Sequence, residues 1–227
     1  NLSLDKTPPV NSTLIQHYLG HRFDLLGSGR TEVAYGMTAG GFDGHVYPPA
    51  AAWNNDDAGR RLNPGNRPRA AKIRALIGDG YAPIDWQLDF KSGFRWSARR
   101  PSKMILYGHK PGADVKVPWE LARLQHLPQL AIAYGAGGED ALREEFRNQV
   151  LDFIAANPPR FGVNWSCAMD VAIRAANMCL GLDLFRAAGA EFDQPFMAEF
   201  QSALTAHGRH IRRNLEWHPR HRANHYL

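Results

Sequence analysis

The stretch EDALREEFRNQVLDFIAANPPRFGVNWSCAMDVAIRAANMCLGLDLFRAA, residues 139–188, decides the fold, because two helical patterns of different character meet in it across a proline turn. Glu139 and Asp140 put negative charge where a helix dipole favours it, and Leu142, Phe146, Val150 and Phe153 follow at the spacing of one helix face. Asn157-Pro158-Pro159 stops that helix, since a residue before proline is pushed out of the helical region. Over residues 165–188 the pattern changes. Ala168, Ala172, Ala175, Ala176 and Cys179 are small on one side, while Val171, Ile173, Met178 and Leu182 supply bulk elsewhere. A helix apolar nearly all round is expected to be enclosed on most sides.

Further helices are expected on both flanks. Downstream, Phe196, Phe200, Leu204, Ile211 and Leu215 predict a helix over residues 194–215, Pro219 follows its end, and Asn224 is expected to open another helix that the chain does not finish. Upstream, Pro118 suits the first turn of a helix through Arg123, and Pro128 should kink or end it before a second turn to Tyr134. Consecutive helix pairs with short connections predict an all-α fold, either an α-solenoid or an α/α toroid. No fixed-period repeat is visible, which argues against ankyrin-type arrays.

This helical portion, residues 113–227, is preceded by a different texture. Residues 1–112 are rich in turn formers, as in Gly27-Ser28-Gly29, Pro48-Pro49 and the run from Asn63 to Pro68, and read as an irregular leader and not an independent fold. Short helices are expected around Thr13–Leu19 and Ala70–Leu76, with a loosely extended segment from Ile84 to Trp96.

Composition narrows the function classes. A hydrophobic content of 44% in 227 residues supports a sizeable core, and the longest apolar runs are too short to span a bilayer. No signal peptide opens the sequence, which begins at Asn1. Cys167 and Cys179 fall on one expected helix, where twelve residues hold them about 18 Å apart, too far for a disulfide. The formal charge is +5, and its excess is concentrated: Arg209, Arg212, Arg213, Arg220 and Arg222 stand against Glu216 alone. Nucleic acid, an acidic polysaccharide or an anionic membrane face would each satisfy such a run, as would plain solvation.

Sequence motifs carry the chemistry less directly. No Walker loop, zinc spacing or nucleophile elbow is present, so neither metal nor cofactor is expected. The turn from Asn157 to Trp165 feeds a helix carrying Asp170, Arg174 and Asn177, polar residues that need partners or a cleft. Asp170 and Arg174, four apart, could pair with each other. Trp165 could be core or a sugar-stacking platform, and its place with Asn164 at a helix mouth beside Gly162 favours the platform.

Several segments then line up with a known family. The run Asp114-Val115-Lys116-Val117-Pro118-Trp119-Glu120-Leu121-Ala122-Arg123, the segment from Asn157 through Trp165 to Asn177, Asn214-Leu215-Glu216 and the closing Asn224-His225-Tyr226-Leu227 together resemble the helical domain of the heparinase II/III family. His21-Arg22-Phe23-Asp24-Leu25-Leu26-Gly27 and Asp89-Phe90-Lys91-Ser92-Gly93-Phe94-Arg95-Trp96 are similar to the leader of bacterial members associated with surface-polysaccharide gene clusters. The resemblance implies an incomplete α/α toroid here, followed in the family by a β-sandwich absent from this chain. It implies β-elimination at a uronic acid in a periplasmic or secreted setting, with an acidic polysaccharide as partner.

The family's Asn-His pair matches Asn224 and His225, the amide neutralising the uronate carboxylate and the imidazole exchanging a proton. Asn164, Trp165, Arg174 and Arg222 are the expected substrate-binding residues. Without the resemblance, Asn224 would read as a helix N-cap. Ala223 departs from the Asn or Gly of many relatives. The family's tyrosine acid or base would lie beyond Leu227, so the fragment is expected to be inactive alone. Three further readings remain: a non-catalytic glycan-binding or scaffold protein on the same toroid, a glycoside hydrolase using Asp170 and Glu120, the only candidate carboxylate pair, and last nucleic-acid binding, which is not expected because no recognised binding motif accompanies the charge.

Overall fold

Helix boundaries follow local chemistry throughout. In the computed structural model, which describes residues 10–54, 58–215, 217–218 and 223–224, Asn11 caps helix α1 (Ser12–Leu19) by accepting from the Leu14 N–H at 3.0 Å. Helix α2 (Arg67–Arg74) carries Pro68 in its first turn, where the missing N–H has no acceptor to lose. Helix α3 (Lys116–Ala122) is followed by α4 (Leu127–Gly137). Pro128 therefore starts a helix where a kink or stop was expected, and Gly138, at φ +68°, closes α4 in the left-handed conformation.

The decisive stretch gives α5 (Asp140–Ala156), with Leu142, Phe146, Val150 and Phe153 all buried, and α6 (Ala168–Ala187). Between them Val163–Trp165 form a separate 3-10 turn, so α6 starts three residues later than predicted. Helix α7 (Gln194–Arg213) is capped by Asp193, which accepts from the Phe196 N–H at 2.9 Å. The fold is all-α. Its strands are two-residue pairs: β1 (Arg22–Phe23) with β2 (Thr31–Glu32), and β3 (Trp217–His218) with β4 (Ala223–Asn224).

The second pair corrects an expectation. Asn224 does not open a helix; its backbone is extended and paired antiparallel with Trp217. Backbone pairing with Trp217, a good strand former, takes the place of the helical turn.

Packing centres on α4 against α6, with α5 braced by α2, α4 and α7. Phe146 of α5 sits among Phe185, Phe192 and Phe196. Helix α6 crosses this cluster at Gly181, where an added Cβ would lie 2.8 Å from the Phe146 ring, so only glycine permits the approach.

The leader is no separate layer. Ile15, Phe23, Ile73, Ile84, Trp86 and Phe90 belong to the same hydrophobic core as Leu130, Phe146 and Phe185. The segment Ile84–Trp96, expected to be loosely extended, is a buried reversal. Leu88 pairs with Arg95, and the Asp89 carboxylate accepts from the Lys91 N–H at 3.0 Å and the Asp114 N–H at 2.9 Å.

Candidate functional site

The turn between α5 and α6 is built by side chains that reach it from the leader. Asn157 is its hub: its Oδ1 accepts from Gln87 Nε2 at 2.6 Å and from Asn164 Nδ2 at 2.9 Å, while its backbone carbonyl accepts from Trp165 Nε1 at 2.9 Å. Gln87 Oε1 accepts from the Val163 N–H at 3.0 Å, and Asn164 Nδ2 also donates to the Trp86 carbonyl at 2.7 Å. Gly162, at φ +74°, passes so close to the Gln87 amide that a Cβ would meet it at 2.8 Å. Two residues earlier Arg160 is also left-handed, at φ +70°, with its carbonyl accepting from the Ser102 N–H at 2.7 Å. A non-glycine residue there costs roughly 1–2 kcal/mol.

Beneath this turn lies Arg174, completely buried on α6. Its guanidinium donates to the carbonyls of Ala122 at 3.2 Å and Asn164 at 3.0 Å and to His207 Nε2 at 2.9 Å, and it lies over the Phe153 and Trp165 rings. His207 in turn donates from Nδ1 to the Ala203 carbonyl at 2.7 Å, which fixes it as a neutral imidazole. Burial, reinforced by the Arg174 charge, pushes the His207 pKa down to about 3. Burial also lowers that of Arg174 to about 9, partly offset by Asp170. Asp170 does not pair with Arg174: its Oδ1 accepts from Arg123 Nε at 2.6 Å, and Arg123 also bridges to Glu120.

Above Trp165 the surface opens into a groove along α7. One part, about 350 Å³, is lined by Arg69, Phe153, Ile154, Pro159, Thr205 and His207 among others; the adjoining part, about 270 Å³, by Arg160, His210, Arg213 and Asn214. Pro159, Trp165, Ala206 and Arg209 line both, so the two are continuous. Arg160, Arg209 and Arg213 are exposed and make no ion pair among the described residues. His210, 9% exposed and packed edge-on against Trp165, has its pKa lowered by burial, then by Arg174 and Lys103. The groove is therefore cationic through its arginines while its histidines stay neutral near pH 7, an arrangement that attracts and holds anions.

A family model described as Heparinase II/III N-terminus matches residues 74–227, well over half of the chain. The chain belongs to the heparinase II/III family. That membership relates it to polysaccharide lyases. Neither the curated proteins nor the solved structures yield a match. Among the described residues, no helix of this heparinase II/III chain is long and apolar enough to cross a membrane, and no group of three or more His, Cys, Asp or Glu could hold a metal ion.

Of the residues expected to bind substrate, Asn164 and Arg174 lie under the groove and not on it, 1% and 0% exposed, because their polar atoms hold the turn and α6 together. Trp165 reaches the groove floor, yet at 2% exposure it offers no open ring face; the platform expected from sequence is packed against His207 and His210. Arg222 and His225 lie outside the described residues, and of Asn224 the structure describes the backbone in β4. Arg160, His210 and the groove role of Arg209 and Arg213 were not singled out from sequence. The signal lay in two separate segments, the Asn157–Trp165 turn and the cationic run from Arg209, with nothing to say that they meet.

Asp170 and Glu120, the pair a hydrolase would require, are both tied to Arg123, and Asp170 is 1% exposed. Neither lines this groove.

Proposed function

We propose that this chain is the glycan-gripping part of a polysaccharide lyase that cleaves a uronate-containing acidic polysaccharide by β-elimination, in a periplasmic or secreted setting. The observation that supports it is the groove along α7, where Arg160, Arg209 and Arg213 face an open channel without carboxylate partners among the described residues. In this reading the helices form part of an α/α toroid, and a β-sandwich domain closes the groove from the other side.

The chemistry sets the division of labour. The C5 proton of a uronate is removable only when charge developing on the carboxylate is held by donors. Asn224 would neutralise that carboxylate through its amide, His225 would exchange the proton, and Arg222 would add to the cationic run that starts at Arg209. The groove arginines would hold the polymer in register and supply uniform binding to substrate and transition state alike.

The test is release of ultraviolet-absorbing unsaturated uronate. A natural-length protein carrying this chain should produce it from an acidic glycan, and Asn224→Ala or His225→Ala should abolish it while glycan binding persists. The 227-residue chain alone should bind weakly and release none. A natural-length protein that binds acidic glycans and never yields an unsaturated product would favour the non-catalytic binding protein.

A further inference from the structure

The segment from Arg99 to Lys110 presents cations and apolar side chains on the same outer surface. From Phe90 to Ala113 the sequence holds no aspartate or glutamate, and Arg99, Arg100, Lys103 and Lys110 are exposed without carboxylate partners among the described residues. Between those cations stand Met104, Leu106 and Tyr107, at 61%, 63% and 53% exposure. A single exposed apolar residue needs no explanation, but three projecting from so short a run mark a contact surface.

Local geometry fixes this display. Ser102–Met104 form a 3-10 turn, held by the Ser102 N–H donating to the Arg160 carbonyl at 2.7 Å, and the chain leaves it extended at Ile105. Side chains alternate along extended backbone, so Ile105 turns inward against Trp96 and Val163 while Met104 and Leu106 turn outward. The Leu106 carbonyl accepts from Trp96 Nε1 at 2.9 Å, and the Tyr107 ring stands edge-on to Trp119 with centroids 5.5 Å apart. A second loop, residues 42–47, is pinned alongside by the Tyr47 hydroxyl, which donates to the Pro111 carbonyl at 2.8 Å. It adds Val46, 60% exposed, and one carboxylate, Asp43.

The shape and the charge together select the partner. A specific protein interface buries about 800 Å² per partner and is depleted of lysine, which three projecting side chains set among lysines do not match. A bilayer needs no complementary cavity: apolar side chains enter between headgroups, tyrosine rings rest at headgroup level, and lysine and arginine meet lipid phosphates. We propose that this face docks on an anionic lipid bilayer, with Met104, Leu106 and Tyr107 in the headgroup region and the flanking lysines and arginines against lipid phosphates. The proposal is independent of the glycan reading. Through the bond from Ser102 to Arg160, docking sets the Arg160 end of the groove beside the bilayer.

Co-sedimentation with sucrose-loaded vesicles tests this on the 227-residue chain and on a natural-length protein carrying it. Both should pellet with vesicles of about 40% phosphatidylglycerol in phosphatidylcholine and stay in solution with phosphatidylcholine alone, and raising salt from about 0.1 to about 0.5 M should release them. Lys103→Gln with Lys110→Gln should weaken partitioning about 30-fold through two lost cations. Met104→Ser with Leu106→Ser should weaken it about tenfold or more. All four positions are exposed, so the thermal melt of each variant should match the parent's. No pelleting, equal pelleting with neutral vesicles, or an unchanged partition in the serine variant overturns the proposal, the last by showing that charge alone acts. Binding by the 227-residue chain and not by the natural-length protein also overturns it, as the mark of a face covered within one polypeptide. So does a lipid-free dimer that the serine variant breaks, since the face is then an interface between copies.

Discussion

Two layers of polar residues lie on either side of Trp165, and they handle charge in opposite ways. Below the ring, Arg174, His207, Asn164 and Asn157 are buried and bonded to one another or to backbone carbonyls. Above it, Arg160, Arg209 and Arg213 are exposed and unpaired among the described residues. A buried polar group must find its partners inside the protein or destabilise the fold, whereas an exposed cation is solvated and remains available. The lower layer therefore belongs to architecture and the upper to binding, and substitutions should divide the same way.

The largest effect is expected from Arg174→Ala. It deprives the Ala122 and Asn164 carbonyls and His207 Nε2 of their donor and empties the space between Phe153 and Trp165. Each buried acceptor left dry costs about 1–3 kcal/mol, so a loss of about 3–5 kcal/mol is expected in urea denaturation. Arg174→Met, which refills the space, should recover part of it. A loss below about 1 kcal/mol for the alanine variant would remove the lower layer from the architecture.

Acid should attack the same layer. His207 has its folded pKa pushed down to about 3, and full burial pushes that of His126, which donates to Gln149 Oε1 at 2.6 Å, down to about 4. An unfolded histidine titrates near 6.5, so between these values the unfolded chain takes up protons that the fold refuses. Stability is thus complete above pH 6.5 and falls as pH drops toward 3. Urea midpoints measured from pH 7.5 to 4 should decline, and less steeply in His126→Gln; a flat profile would mean that neither ring is held neutral.

The upper layer should respond in the reverse sense. Arg209→Ala with Arg213→Ala should leave stability within about 0.5 kcal/mol of the parent, as surface changes do. Exposed ion pairs contribute about 0.2–1 kcal/mol each, so affinity for an acidic oligosaccharide should drop about 2- to 30-fold, with a weaker dependence on salt. Unchanged affinity in titration calorimetry would move the glycan elsewhere on the surface.

This division explains what could be read from the chain. The α5 stripe of Leu142, Phe146, Val150 and Phe153 was legible because a buried helix face repeats every 3.6 residues. The Ile84–Trp96 reversal was not, because it is organised by the Asp89 carboxylate and by Gly93, whose Cβ would meet the Tyr47 carbonyl at 2.6 Å; side-chain bonds to backbone leave no period. At the site, the Asn157–Trp165 turn and the arginine run were each visible, and the buried status of Arg174 and Asn164 was not. A polar residue next to apolar ones announces a partner without saying whether that partner is substrate or protein, and here protein supplies it: Ala122, Asn164 and His207 for Arg174, and Trp86 of the leader for Asn164.

A small gain in stability should be the most instructive effect, because Arg160 belongs to both layers: its backbone is part of the turn and its side chain part of the groove. At φ +70° its left-handed conformation costs an L residue roughly 1–2 kcal/mol. Arg160→Gly removes that strain and keeps the carbonyl that accepts from Ser102, against a backbone entropy cost of about 0.5–1 kcal/mol. The variant should therefore be more stable than the parent by about 0.5 kcal/mol while binding an acidic oligosaccharide less tightly. A residue kept for packing would lose both on replacement, and an incidental one would leave binding untouched. Higher stability together with weaker binding is the pattern expected of strain retained to aim a cation at a ligand.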